Sequence, residues 1–330
     1  MTRARNHLPS RFRPPGFTLI ELLVAVGIIG LLIGILLPAI QAARAAAWRS
    51  ACQNNLRQIG TALSAYLASH NVFPQASTGQ IYSPHAMILP YLEQRGLYDS
   101  INFNLSVHTI LPTDPYGPHM TVHDTKLAVF LCPADSQNGA TIGQTNYAGN
   151  GGYGETSDGG LLGLGLFADA ATPQGRTAIG SQAVPDGLSN TVAMSEWVLG
   201  NYWTIEPTGT VFQTPSLIDL SEFDEFVATC RDLPPDSTDL APGRLKSCRW
   251  LFGGFEETLL NHDLTINGHS CLNGSMINYG AWTAGSRHAG GANVLFADAH
   301  VRFLSDRVSL PVWRALSTRA GQEALASDSY

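Results

Sequence analysis

The hydrophobic pattern changes character twice along this chain. From Phe17 to Leu37 the residues are apolar almost without break, and Glu21 is the one ionisable side chain among 21 positions. A helix of that length reaches about 31 Å, enough for a hydrocarbon core of about 30 Å. From Gln41 to about His70 the pattern becomes periodic. Cys52, Leu56, Ile59, Leu63 and Tyr66 or Leu67 recur at three- and four-residue spacing, with Arg49, Gln53, Arg57 and Gln58 largely off the stripe. Such spacing predicts an amphipathic helix with one face packed on something else. Pro38 lacks the N–H the helical ladder needs, so a kink is expected there. Asn71 and Pro74 stop the pattern. The expectation is one helix over about 17–70, bent at Pro38, its second half requiring a partner sheet.

Beyond residue 70 the periodicity shortens. Apolar runs bounded by turn residues predict strands at Thr191–Met194, Ala292–Ala297 and Val301–Leu304. The last two flank Asp298-Ala299-His300 and read as a hairpin. Glycine would suit that turn better than Ala299, because it accepts positive φ, so Ala299 implies a different turn or a small cost. The glycine-rich stretch Gly149–Gly165 reads as a loop or tongue. Pro311 opens a short terminal helix over about 311–325. The predicted class is α+β: a long transmembrane and stalk helix packed on a β-rich, loop-rich head. The division is a basic leader (1–16), the helix (17–70) and the head (71–330), with 200–280 as a variable insertion.

Charge sharpens this picture. The first sixteen residues hold Arg3, Arg5, Arg11 and Arg13 and no acid. Positive flanks stay cytoplasmic, but Arg44, Arg49 and Arg57 on the other side leave only a weak vote on orientation. The formal net charge is −7 and only 14% of residues are charged. No basic patch with interleaved aromatics is present, which argues against a nucleic-acid partner.

A carboxylate inside an apolar span is costly and asks for a function. Three readings compete. A secretory signal peptide has a shorter apolar region, although Ala43-Arg44-Ala45 offers a cleavage-like triplet. A plain anchor leaves Glu21 without a role. The third uses all the features: Gly16-Phe17-Thr18-Leu19-Ile20-Glu21 resembles the processing signal of prepilins and type II secretion pseudopilins. The resemblance implies cleavage after Gly16 and methylation of the new N-terminal Phe17. It implies that Glu21 pairs with the amine of a neighbouring subunit to set register, and that Pro38 is the family's helix-kinking proline. It further implies a prepilin peptidase/N-methyltransferase, other pilin-like subunits or secretion machinery, and membrane lipid as partners. The leader would lie inside, and the head outside a bacterial inner membrane or in a pilus-like fibre. Loss of the leader would take the net charge to about −11, since −7 less four arginines is −11.

Further motifs narrow the resemblance. Cys52-Gln53-Asn54-Asn55-Leu56-Arg57-Gln58-Ile59-Gly60 is similar to a segment of the DUF1559 family, prepilin-like proteins abundant in planctomycete bacteria. Cys132-Pro133-Ala134-Asp135 resembles its Cys-Pro-x-Asp segment. Asn146-Tyr147-Ala148-Gly149-Asn150 resembles its Asn-Tyr-x-Gly-Asn loop. Asp186-Gly187-Leu188-Ser189-Asn190-Thr191, followed by Glu196, resembles its Asp-Gly-x-Ser-Asn-Thr motif. His288 and Asp298 match a His-x9-Asp-Gly region, with Ala299 where that family carries glycine.

Five cysteines permit pairing outside the cytoplasm. Cys230 with Cys248 is the first candidate and Cys52 with Cys132 the second. Cys271 is left unpaired or paired elsewhere, and buried free thiols remain open for each. His262, His269 and Cys271 match no standard zinc spacing. Asp135, Asp186, Asp298 and Asp306 are oxygen donors that sequence cannot bring together, so no metal or cofactor is expected. Asp186 reads as an Asx-type turn residue. Ser189 and Ser195 lie in no nucleophile elbow. His288 is expected to fix the hairpin by bonding a carbonyl or Asp298. The chain thus reads as a structural assembly subunit rather than an enzyme; the alternative is a membrane-anchored solute- or polymer-binding protein that borrows pilin processing without polymerising.

Overall fold

The computed structural model describes residues 18–77, 82–107, 119–135, 142–154, 156–157, 160–161, 165–167, 171–172, 175–176, 178–200, 208–219, 222–234, 241, 246, 249–274 and 276–323. Two compact units divide the chain, Met1–Ala47 and Trp48–Tyr330.

Helix α1 (Leu19–His70) is one unbroken element. Pro38 lies inside it, so its absent N–H removes one hydrogen bond without ending the ladder. The C-terminal stop is at the expected place: Asn71 takes φ 59° and its N–H bonds the Leu67 carbonyl. In the first unit the apolar side chains of α1 face outward, with Leu19 81% and Leu31 64% exposed. This helix is long and apolar enough to cross a membrane.

The second unit contains the remainder of α1 and then α2 (Pro84–Ile88), α3 (Arg95–Asp99), α4 (Met120–Asp124), β1 (Tyr147–Asn150), β2 (Thr156–Ser157), β3 (Gly160–Leu161), β4 (Ala171–Thr172), β5 (Gly175–Arg176), β6 (Val192–Glu196), β7 (Val211–Gln213), α5 (Phe223–Arg231), β8 (Leu259–Leu260), β9 (Ser270–Asn273), β10 (Met276–Ala281), β11 (Gly291–Phe296), β12 (Val301–Ser305) and α6 (Leu310–Ala315). The main sheet has the order β12-β11-β6-β1-β8, antiparallel except for the β1–β8 pair. The class is therefore α+β, as the pattern predicts. The Asn-Tyr-x-Gly-Asn segment, expected as a loop, is instead strand β1, buried at all four positions between β6 and β8.

Strand alternation gives the sheet two apolar faces. Leu295 on β11 joins Tyr147, Met194 and Leu259 in the cluster that contains Cys52, Leu56, Ile59 and Leu63 of α1. The predicted helical stripe is thus the buried one. Ala292, Val294 and Phe296 point the other way, onto Trp313 and Leu316 at and just after α6. Gly60 allows the close approach of α1 to the β11–β12 hairpin: a Cβ there would lie 2.7 Å from Leu295 Cδ1 and 3.0 Å from Ala299 Cβ.

The hairpin is where the pattern places it. Ala299 N–H donates to the Phe296 carbonyl at 2.9 Å and Phe296 N–H to the His300 carbonyl at 2.9 Å. Ala299 itself adopts φ 74°. A three-residue hairpin loop puts a left-handed residue at that position, so the alanine carries the small cost rather than changing the turn.

A second sheet, β10-β9-β7, is built largely from the 200–280 region, with α5 against it through Phe226, Val227 and Cys230. Its cross-link corrects an expectation: Cys230 bonds Cys271 of β9, not Cys248. Helix packing brings Cys230 onto the strand, a proximity that the 18-residue spacing to Cys248 does not reflect. Cys248 lies outside the described residues. The other candidate pair, Cys52–Cys132, is present and closes 80 residues.

Candidate functional site

Two places carry chemistry. The first is the start of α1. Gly16 and Phe17 lie outside the described residues, but the next turn is well defined. Thr18 is the residue before the first helical position. Its N–H and Oγ1 donate to Glu21 Oε2 at 2.8 and 2.7 Å, and Glu21 N–H donates to Thr18 Oγ1 at 3.3 Å. This is a reciprocal capping box, Thr-x-x-Glu, which satisfies helix-end donors that lipid could not satisfy. The carboxylate in the apolar run therefore has a partner within its own chain. The Thr18-Leu19-Ile20-Glu21 spacing was the signal for it.

The second is a buried polar cluster in the second unit. Seven of the resembling motif residues meet there from distant parts of the chain: Cys52, Gln53, Cys132, Asp135, Asn146, Glu196 and His288. Cys52 comes from α1 and Cys132 from the turn after Leu131, joined by their disulfide. His288, just before β11, places Nε2 3.6 Å from Cys132 Sγ and 3.7 Å from Glu196 Oε1. Glu196 ends β6 and is 1% exposed. Both its oxygens are held from β11: Asn293 N–H donates to Oε2 and Asn293 Nδ2 to Oε1, each at 2.8 Å. Gln53 Nε2 in turn donates to Asn293 Oδ1 at 3.0 Å, which ties α1 into the cluster.

Asp135 and Asn146 form the adjoining half. Asn146 Oδ1 accepts from Cys132 N–H at 2.9 Å, and its Nδ2 donates to Asp135 Oδ2 at 2.8 Å. Asp135 also accepts from Leu199 N–H and from Arg287 Nε. Burial raises the Glu196 carboxyl above its ordinary value, while the Asn293 bonds and the nearby Arg49 charge oppose that shift. Burial, and then Arg49, lowers His288. The imidazole is thus held neutral at pH 7, with a lone pair to offer.

The remaining sequence-predicted residues lie elsewhere. His288 and Asp298 do not pair. They flank strand β11, whose six residues span about 20 Å at 3.3 Å each. Asp298 instead meets His300 Nδ1 at 2.5 Å within the turn. Asp186 is not an Asx turn: its carboxylate accepts from Gly321 N–H at 2.7 Å, Gln322 N–H at 2.8 Å and Thr318 Oγ1 at 3.3 Å, fastening the C-terminal segment. Its main-chain carbonyl accepts from Asn190 Nδ2, and Ser189 is exposed. His262 stacks on Trp313, and Cys271 is consumed by its disulfide. Arg287 and Asn293 were not singled out in the sequence, and Gln53 entered only as a position off the helical stripe and within the segment that begins at Cys52. For Arg287 the adjacent His288 was the available signal; Asn293 lay within the predicted strand Ala292–Ala297 without a signal of its own.

With this geometry established, comparison with known proteins adds two findings. A family model described as "Protein of unknown function (DUF1559)" matches residues 41–310, and one described as "Prokaryotic N-terminal methylation motif" matches residues 13–37. No curated protein and no solved structure matches the chain.

Proposed function

Since the chain belongs to the DUF1559 family and carries the prokaryotic N-terminal methylation motif, we infer that it works as a prepilin-like structural subunit whose N-terminal helix is both membrane anchor and assembly element. The motif marks a prepilin-type processed, surface or secretion-related protein. The finer reading is as follows. A prepilin peptidase cuts after Gly16 and methylates Phe17. The helix then docks with those of other pilin-like subunits, in a pilus or a type II secretion-like system, with the second unit displayed outside the inner membrane. The protein is substrate to the peptidase and has no catalytic role of its own.

The observation that carries this reading is the methylation-motif match over residues 13–37, which spans the first turn of the apolar helix where Thr18 and Glu21 form the capping box. Cleavage would leave the new amine one residue before Thr18. A carboxylate offers about four lone-pair sites, and Thr18 takes two on Oε2. Glu21 can therefore hold its own helix end and still accept the ammonium of a neighbouring subunit. Such a pair contributes register more than stability.

Mass spectrometry of the mature N-terminus tests processing: N-methyl-Phe17 is expected, while an intact Met1 or a start beyond α1 would sink the proposal. Glu21→Gln then tests assembly. Glutamine preserves the capping box but not the charge, so this variant should be processed normally yet vanish from sheared surface fibres. Undiminished fibre content would remove the register role.

A further inference from the structure

We propose that Cys52, Cys132, Glu196 and His288 form a binding site for a zinc-type divalent cation when the Cys52–Cys132 disulfide is reduced, so that cross-link and metal centre are alternative states of one cluster. The proposal stands apart from N-terminal processing.

Their four ligand atoms, two sulfurs, one imidazole nitrogen and one carboxylate oxygen, all lie within 4.8 Å of one another. Among the described residues no other such group of His, Cys, Asp and Glu side chains occurs. The donor set is that of tetrahedral zinc, with bonds of about 2.3 Å to sulfur and about 2.0 Å to nitrogen and oxygen. Those bond lengths imply edges between ligand atoms of roughly 3.3–3.8 Å. Two edges already have this size: 3.6 Å from Cys132 Sγ to His288 Nε2 and 3.7 Å from His288 Nε2 to Glu196 Oε1. The sulfur–sulfur edge is shorter, because the two are bonded to each other; the other three edges are bounded by 4.8 Å.

Opening it balances simply. A dithiol donor attacks the disulfide and leaves as its own disulfide, transferring two electrons and two protons, so that Cys52 and Cys132 become thiols. A divalent cation then displaces both thiol protons to solvent and takes the neutral imidazole and the carboxylate as third and fourth ligands. Two thiolates and one carboxylate leave the filled site with one net negative charge, and Arg49 already acts electrostatically on both Glu196 and His288.

The surroundings suit a ligand set held in advance. Asn293 fixes both Glu196 oxygens, Gln53 orients Asn293, and Asn146 holds the Cys132 backbone. Such outer contacts set ligand direction and affinity. An open cavity of about 540 Å³ lined by Asn55, Leu131, Cys132 and Asp135 borders the cluster on its Cys132 side.

The full chain in detergent, with and without a phosphine reductant, is titrated with Co²⁺ and then Zn²⁺. The reduced chain should bind one Co²⁺ with thiolate charge-transfer and tetrahedral ligand-field bands, and Zn²⁺ should displace it. The oxidised chain should show neither band. His288→Ala and Asn293→Ala should each weaken binding by at least about 10-fold. If either variant does not fold, the wild type decides alone: Zn²⁺ should slow alkylation of Cys52 and Cys132, mapped by peptide mass. Equal uptake by oxidised and reduced chains, no uptake by the reduced chain, or unprotected Cys52 and Cys132 would overturn the proposal.

Discussion

The two units solve the problem of polar and apolar groups in opposite ways. In Met1–Ala47 every described backbone bond is local to one helix, the single acid is satisfied three residues away, and the apolar side chains point outward. In the second unit the apolar side chains are inside and the polar groups are satisfied across 97, 152 and 240 residues of sequence, as in Glu196–Asn293, Asp135–Arg287 and Gln53–Asn293. The described part of the first unit satisfies its backbone within α1 and leaves its apolar side chains exposed. The second buries its own. Where the stabilising partners are remote, one broken link should spread; where they are local, damage should stay local.

The largest expected effect tests that spread. Cys52→Ala removes a cross-link closing 80 residues, worth about 4.5 kcal/mol in the chain-entropy account. Urea unfolding of the second unit should shift to match, while helical signal from the apolar segment in detergent survives. An unchanged urea midpoint would show that the cluster, not the cross-link, holds α1 to the sheet.

Next is a buried acid. Burial pushes Asp263 up to about 7, against hydrogen bonding from Gly154 N–H and the charge of Arg314. Between the ordinary carboxyl value near 4 and about 7, the folded chain keeps a proton that the unfolded chain has lost. This contribution to stability is therefore present below about pH 4 and lost as pH rises to about 7. Asp263→Asn retains an oxygen for Gly154 and never ionises. Its stability gain over wild type should grow across that window to an order of a few kcal/mol and then level off. A gain independent of pH would mean the carboxylate is better solvated than its burial implies.

A smaller effect tests locality. Thr18→Ala should cost about 1 kcal/mol, read as roughly fivefold faster amide exchange confined to the first turn of α1. Spread of that change past the first unit would blur the contrast between the two regions. The smallest is a gain: Ala299→Gly relieves φ 74° and should raise stability by about 0.5 kcal/mol, since the strain released is partly offset by glycine's extra freedom when unfolded. A loss would show that Ala299 Cβ packs usefully against α1 near Gly60.

What depends on neighbours in sequence was legible there. The apolar run, the stripe from Cys52 to Leu67, the stop at Asn71 and the hairpin about Ala299 follow from 3.6- and 2-residue periods and turn chemistry, all of which act over a few residues. The Thr18–Glu21 capping box is equally local, yet in the sequence Glu21 reads only as an acid lacking a partner in its own chain. The Gly-Asn end of β1 misled, because glycine signals turns locally while burial between two strands overrides that signal. Tertiary structure alone decided that Cys230 meets Cys271, that His288 and Asp298 stand at opposite ends of one extended strand, and that Cys52, Cys132, Glu196 and His288 share a few ångströms. Those pairings arise from which strand lies beside which and which helix face lies over them. Spacing along a chain carries no record of that order.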